Sequence, residues 1–206
     1  MLNSSLNTKH SKLAMLIYIH GFNSSPASVK ARLLRERLEA LGQGADFLAP
    51  GLSHRPAEAA AVLDALVARY PAAALVGSSL GGYYATWLAE KHGIRAVLVN
   101  PAVRPYELLR PALGVQRNLH TGAEYEFGER HLEELAALEV PAIQRPGRYL
   151  LMVETGDEVL DYRQAVARYR GCRQVVIEGG DHGFSDFHQY LDTVLEFCGV
   201  SGSEKH

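Results

Sequence analysis

Three features of this 206-residue sequence predict an α/β architecture, with a six-stranded, mostly parallel sheet and helices on both faces. Short continuous apolar runs, rich in branched and aromatic residues, recur along the chain. Segments with helical apolar spacing lie between them, and glycine, proline or asparagine closes nearly every run. Such alternation of strands and helices is the mark of a parallel sheet buried on both sides.

Met15 to Ile19 is the first apolar run and suits a strand covered on both faces. His20-Gly21-Phe22-Asn23-Ser24-Ser25-Pro26 follows as a loop feeding a helix, with Pro26 near its first turn. Val29, Leu33, Leu34, Leu38 and Leu41 recur at helical spacing, and Gly42 is a natural stop. Phe47 to Ala49 is a short strand halted by Pro50-Gly51. Pro56 opens a second helix carried by Val62, Leu63, Leu66 and Val67, and Pro71 ends it. Ala73 to Val76 is the third strand. The helix after it buries Leu80, Tyr84, Trp87 and Leu88 and stops at Gly93. Ala96 to Val99 is the fourth strand, ending in Asn100-Pro101.

Residues 102–147 break the rhythm with repeated prolines, a turn at Thr121-Gly122 and one helix from about Glu129 to Leu138. The segment is longer than an ordinary connection. It leaves a carboxyl-end loop and is expected to lie over the site as a cap-like insertion. Alternation then resumes. Tyr149 to Val153 is the fifth strand, Tyr162 to Tyr169 a helix, and Gln174 to Ile177 the sixth strand. A glycine-rich loop, Glu178 to Gly183, leads to a last helix expected from about Phe184 to Phe197, with Phe184, Phe187, Leu191, Val194 and Cys198 on one face.

Length suits one domain over 13–200, flanked by polar, patternless tails at 1–12 and 201–206 that are expected to be disordered. A formal charge of −2 gives no electrostatic reason to expect a nucleic acid or membrane partner. No run is long enough to span a bilayer, and Leu13 to Ile19 is short for a signal core. Two cysteines, Cys172 and Cys198, do not make a disulfide framework, and free thiols suit a reducing, cytoplasmic setting.

The chemistry centres on Gly77-Ser78-Ser79-Leu80-Gly81, a match to G-x-S-x-G in which Ser79 is the central serine. A nucleophilic serine on a sharp strand-to-helix turn needs glycine two residues before and after it, because those positions crowd each other. The turn also presents the Leu80 N–H at a helix N-terminus, where an anion is favoured. A serine hydroxyl needs a base, and the base needs an acid to orient it. In such a fold the acid and then the histidine follow the serine along the chain. Of the later histidines only His182 sits in a glycine-rich loop after a strand. The loop after the fifth strand offers Glu154, Asp157, Glu158 and Asp161. Asp157, between Gly156 and Glu158, has the freest geometry, and Asp161 is the reserve. Oxyanion donors are expected from the backbone N–H groups of Leu80 and Phe22. His20 is expected to brace its loop. Phe22, Tyr83, Tyr106 and Phe184 are candidate walls of a substrate pocket, with a place in the core the equal alternative for each. Asp181, His182 and His188 match no usual zinc spacing, and neither a metal nor a cofactor is expected.

The blocks His20 to Pro26, Gly77 to Thr86, Asn100 to Pro105 and Thr155 to Tyr162 together resemble the YqiA-type small bacterial esterases of the α/β-hydrolase superfamily. The similarity runs from about Met15 to Gly199. It implies a compact α/β-hydrolase lacking the first two strands of larger members. It further implies a carboxylic-ester hydrolase with Ser79, Asp157 and His182 in the triad positions. Activity in that family is associated with short acyl esters and acyl-CoA thioesters. One departure is Gly180-Asp181-His182-Gly183, where the family pattern has asparagine before the histidine and alanine after it. Small acyl esters or thioesters are the expected partners. A catalytically silent binding module and an acyltransferase are the competing functional readings.

Overall fold

A computed structural model describes residues 15–200. The tails expected at 1–12 and 201–206 lie outside the described residues. Six strands form one sheet: β1 Leu16–Ile19, β2 Phe47–Leu48, β3 Ala74–Ser78, β4 Arg95–Val99, β7 Tyr149–Glu154 and β8 Arg173–Ile177. They run in the order β2-β1-β3-β4-β7-β8, and every neighbouring pair is parallel. The chain steps outward from β1 to β2, then returns to place β3 on the other side of β1. Ligands of such sheets bind where the order reverses, at the carboxyl ends. Here that crevice lies between the loops after β1 and β3.

The strand side chains alternate between two cores, as a period of two requires. Ile17, Ile19, Leu75, Leu98, Leu151 and Val153 meet the helices α2 (Pro56–Arg69) and α3 (Leu80–His92) on one face. Leu16, Tyr18, Val76, Val97, Leu150 and Met152 meet α1 (Val29–Ala40) and α7 (Leu191–Cys198) on the other. Fully buried strands explain why the sequence shows unbroken apolar runs. The helix stops fall at glycines with positive φ, 73° at Gly42 and 70° at Gly93. Among the described residues no helix is long and apolar enough to cross a membrane.

Three local expectations need correction. Val29 and Val62 are 58% and 50% exposed rather than on apolar faces. Val29 is the first residue of α1, and Val62 stands about a quarter-turn away from the buried stripe of Ala59, Leu63 and Val67. The last helix is α7 alone, beginning at Leu191. A turn with Phe184 at φ 53°, then a 3-10 turn over Phe187–Tyr190, precedes it.

The segment 102–147 holds more structure than the single expected helix. A short helix α4 (Pro105–Leu108) is followed by an antiparallel hairpin, β5 (Gly114–Arg117) and β6 (Glu124–Phe127), and then by α5 (Glu129–Ala136). Phe127, Leu132 and Leu135 enter the core on the α3 face. The hairpin is tied to the loop after β1. Leu119 N–H donates to the Asn23 carbonyl, Asn118 Nδ2 to the Ser24 carbonyl, and the Tyr125 hydroxyl to Asn23 Oδ1 at 2.6 Å. Helix α6 (Tyr162–Arg168) links β7 to β8.

Candidate active site

β3 delivers its last residue, Ser78, into a turn where Ser79 adopts φ 54° and ψ −121°. Such backbone costs about 1–3 kcal/mol and persists only when its surroundings hold it. They do so by crowding. A Cβ on Gly77 would stand 2.3 Å from the Gly81 carbonyl oxygen. One on Gly81 would stand 2.0 Å from the Ile19 carbonyl oxygen. Ser79 N–H donates to the Val99 carbonyl at 3.0 Å, and the Ser79 carbonyl accepts from Gly82 and Ala102. The turn is therefore stitched to β4 as well as packed on β1.

The structure brings Ser79, His182 and Asp157 together. His182 Nε2 lies 3.1 Å from Ser79 Oγ, across 103 residues of sequence. His182 Nδ1 lies 2.8 Å from Asp157 Oδ2 and 3.0 Å from Oδ1. An ionised carboxylate can only accept, so Nδ1 carries the hydrogen and Nε2 is left as an acceptor facing the serine hydroxyl. Burial pushes the Asp157 carboxyl up. The His182 bond and the Leu160 and Val159 N–H groups on Oδ1 outweigh it, and the net shift is downward. The neighbouring acids do other things. Asp161 caps α6 through Arg163 N–H. Glu158 accepts the His182 backbone N–H at 3.0 Å. Glu154 is 1% exposed and accepts the Asp181 N–H at 2.9 Å. Burial holds its carboxyl above the ordinary value.

Asn100 completes the hold on the histidine loop, a role the sequence reading passed over. It sits at the end of β4 with φ 40° and is 3% exposed. Its Oδ1 accepts Glu154 N–H at 3.0 Å, and its Nδ2 donates to the Asp181 and His182 carbonyls at 3.0 and 3.3 Å. The only signal in the sequence was a buried-strand terminus ending in an amide.

A Cβ on Gly21 would lie 3.2 Å from Ser79 Cβ, so the loop after β1 presses against the serine. Among the described residues, the backbone N–H groups of Phe22 and Leu80 donate to no protein acceptor. A cavity of about 250 Å³ opens beside Ser79 and His182. Phe22 and Leu80 line it, and Pro105, Leu108, Leu109, Val159 and Leu160 make it apolar. Three residues expected in its walls are elsewhere. Tyr83 is in the core, its hydroxyl donating to the Leu135 carbonyl at 2.8 Å. Tyr106 packs against the same core. Phe184 packs edge-on against Phe187 and Tyr190 in the opposite core. Its positive φ turns the chain away two residues after His182. The actual walls come from the insertion and the acid loop, whose approach no local pattern encodes. Among the described residues no cluster of three or more His, Cys, Asp or Glu could hold a metal ion.

A family model described as Uncharacterised protein family (UPF0227) matches residues 15–199. The fold is similar to that of a protein from Agrobacterium vitis S4, with TM-score 0.73, 18% identity and coverage of 89% of this chain and 87% of that one. It is similar to alpha/beta hydrolase domain-containing protein 10 from mouse, with TM-score 0.67, 17% identity and coverage of 88% and 89%. It is also similar to the esterase domain of a Rhodothermus marinus protein, with TM-score 0.63, 19% identity and coverage of 91% and 87%. The fold is that of the α/β hydrolases.

Proposed function

The chain belongs to the UPF0227 family, and from that premise we propose that it is a serine hydrolase cleaving carboxylic esters or acyl thioesters through an acyl-enzyme on Ser79. The observation that carries this reading is the continuous path from Ser79 Oγ through the His182 ring to Asp157, with both links at hydrogen-bond distance. The esterase domain among proteins of similar fold is consistent with it.

In the forward step Ser79 Oγ attacks the acyl carbon while its proton passes to His182 Nε2. Asp157 accepts the bond from Nδ1–H, fixing the tautomer and stabilising the imidazolium. The carbonyl oxygen becomes an alkoxide held by Phe22 and Leu80 N–H groups, two donors with no competing acceptor among the described residues. Collapse breaks the bond to the leaving oxygen or sulfur, which takes the proton from His182. Water then attacks the acyl-enzyme with His182 as base, releasing the acid and restoring Ser79. The apolar walls of the cavity suit an uncharged chain on the substrate.

Ser79→Ala is expected to lower kcat/KM on p-nitrophenyl butyrate by about a thousandfold or more and to abolish labelling by a fluorophosphonate. Retention of more than a few per cent of turnover would remove Ser79 as nucleophile.

A further inference from the structure

The two oxyanion donors are held unequally. The Leu80 N–H belongs to the start of α3, at the crowded turn of Ser79. The Phe22 N–H belongs to an irregular loop after β1. Inside that loop the bracing is thin. Ser24 N–H donates to the Gly21 carbonyl at 3.3 Å. His20 Nδ1 donates to the same oxygen at 3.0 Å, since a carbonyl can only accept. Asn23, the residue after the donor, stands at φ 55°. Asparagine tolerates this left-handed backbone better than most residues, but its surroundings must still hold it there.

Those surroundings come from the β5–β6 hairpin, 93–102 residues further along the chain. The Tyr125 hydroxyl donates to Asn23 Oδ1 at 2.6 Å, and Asn23 Nδ2 donates to Gln116 Oε1 at 3.2 Å. Leu119 N–H donates to the Asn23 carbonyl at 3.0 Å, and Asn118 Nδ2 to the Ser24 carbonyl at 3.0 Å. Both polar ends of the Asn23 side chain, and its carbonyl, are therefore taken by the hairpin. The Phe22 ring meets Phe127 edge-on, with centroids 5.2 Å apart. Phe127 is anchored in the core on the α3 face. Tyr125 is backed in turn by His54, whose ring stacks on it at 4.4 Å.

A strut thus runs from the core through β6 to Phe22 and to the residue beside it. Gln116, Asn118, Leu119, Tyr125 and Phe127 do not line the cavity beside Ser79, so they reach the chemistry through the Phe22 loop and not by touching substrate. Position matters because an oxyanion donor acts only within about 2.7–3.1 Å of the alkoxide. A drift of about 1 Å can cost a hundredfold in rate. Resting on the serine-hydrolase reading above, we propose that the β5–β6 hairpin sets the oxyanion site, and that Tyr125, acting through Asn23, is a positioning residue for the Phe22 N–H.

The test removes the tether and spares the rest of the strut. Tyr125→Phe deletes one hydroxyl and keeps the ring that stacks on His54. Asn23→Gly deletes the side-chain arm, and glycine holds φ 55° without strain. Each variant is assayed on p-nitrophenyl butyrate and titrated with propyl trifluoromethyl ketone, whose adduct on Ser79 carries an oxyanion. In each, kcat should fall about tenfold or more while KM stays within about twofold, and the ketone should bind more weakly by a similar factor. A role in stability alone would lower the unfolding temperature but leave kcat and ketone affinity within about twofold of the parent, and that result would overturn the proposal. So would a raised KM at unchanged kcat, which would place the effect on substrate binding. If Tyr125→Phe does not fold, Asn23→Gly decides. If neither folds, the contact serves the fold and the proposal is overturned. If the parent cleaves butyrate and a fluorophosphonate labels Ser79 while the variants match it, the brace alone falls. If the parent does neither, the serine-hydrolase reading itself falls and the brace with it.

Discussion

The turn bearing Ser79 and the loop bearing His182 reach the same rim of the sheet by different balances of crowding and hydrogen bonding. Residues 77–82 are held by backbone crowding, with glycines placed where any Cβ would strike main chain. Residues 178–183 meet main-chain crowding at one point, where a Cβ on Gly156 would stand 2.5 Å from the Gly180 carbonyl oxygen, but are held mainly by side chains reaching in from elsewhere. Asn100 and Glu154 bond the Asp181 and His182 backbone, Glu158 takes the His182 N–H, and Thr155 Oγ1 takes the Gly179 N–H. Lys30 Nζ donates to the Gly183 carbonyl. A nucleophile needs an exposed, strained and unyielding perch, and sterics supply that locally. A base must be set to within a fraction of an ångström of a partner far off in sequence, and a network of directional bonds supplies that.

The contrast can be broken most severely at the crowded turn. Gly81→Ala should cost about 4 kcal/mol or more, read by urea or thermal unfolding, because the new methyl would meet the Ile19 and His20 carbonyls at 2.0 and 2.8 Å. β1 and β3 would have to part to admit it. Should Gly81→Ala prove nearly neutral, steric crowding is not what holds the serine.

Asn100→Ala attacks the other mode and should do less to the fold. It leaves the Glu154 N–H and the His182 carbonyl without their Asn100 partner, while the Asp181 carbonyl keeps the Phe184 N–H, an expected loss of about 2–3 kcal/mol. The more telling readout is kinetic. On p-nitrophenyl butyrate kcat should fall about 10- to 100-fold while KM stays within about twofold, since the amide touches the histidine loop and not the cavity. An unchanged kcat in a folded variant would show that the loop needs no such tether.

The mildest intervention is at Lys30. Burial lowers its ammonium to about 8 from 10.5, against the opposing pull of Asp181, Glu154 and Asp157. Between about pH 8 and 10.5 the unfolded chain keeps a proton that the folded one has released, so this group makes stability rise with pH across that window. The stability of the parent relative to Lys30→Met should therefore climb by about 1–3 kcal/mol from pH 8 to 10.5. A flat difference across that range would mean the ammonium is not held at a cost.

The elements that could be read from residues alone are those whose cause is local. Strand runs such as Leu16 to Ile19 and the glycine stops at Gly42 and Gly93 depend on neighbours within a few residues. So does the turn at Ser79. The hairpin over 114–127 is marked only in its second strand, where Glu124-Tyr125-Glu126-Phe127 alternates polar and aromatic residues, while Gly114–Arg117 is mostly exposed and shows no such period. Tyr83, Tyr106 and Phe184 have the aromatic character of pocket walls yet lie in or against the cores. Character does not say which way a side chain points.

The chain's own residues, read in order, dictated a buried parallel sheet and a strained serine between glycines, because period and steric volume act over a handful of positions. The meeting of Asn100, Glu154 and the 181–182 backbone belongs to the folded state. It arises where parallel register sets Val99 beside Met152 and Glu154 beside Ile177, bringing three loops to one edge. Hydrogen bonds across 54 and 81 residues exist only once that edge is assembled, and no pattern within a single segment encodes them.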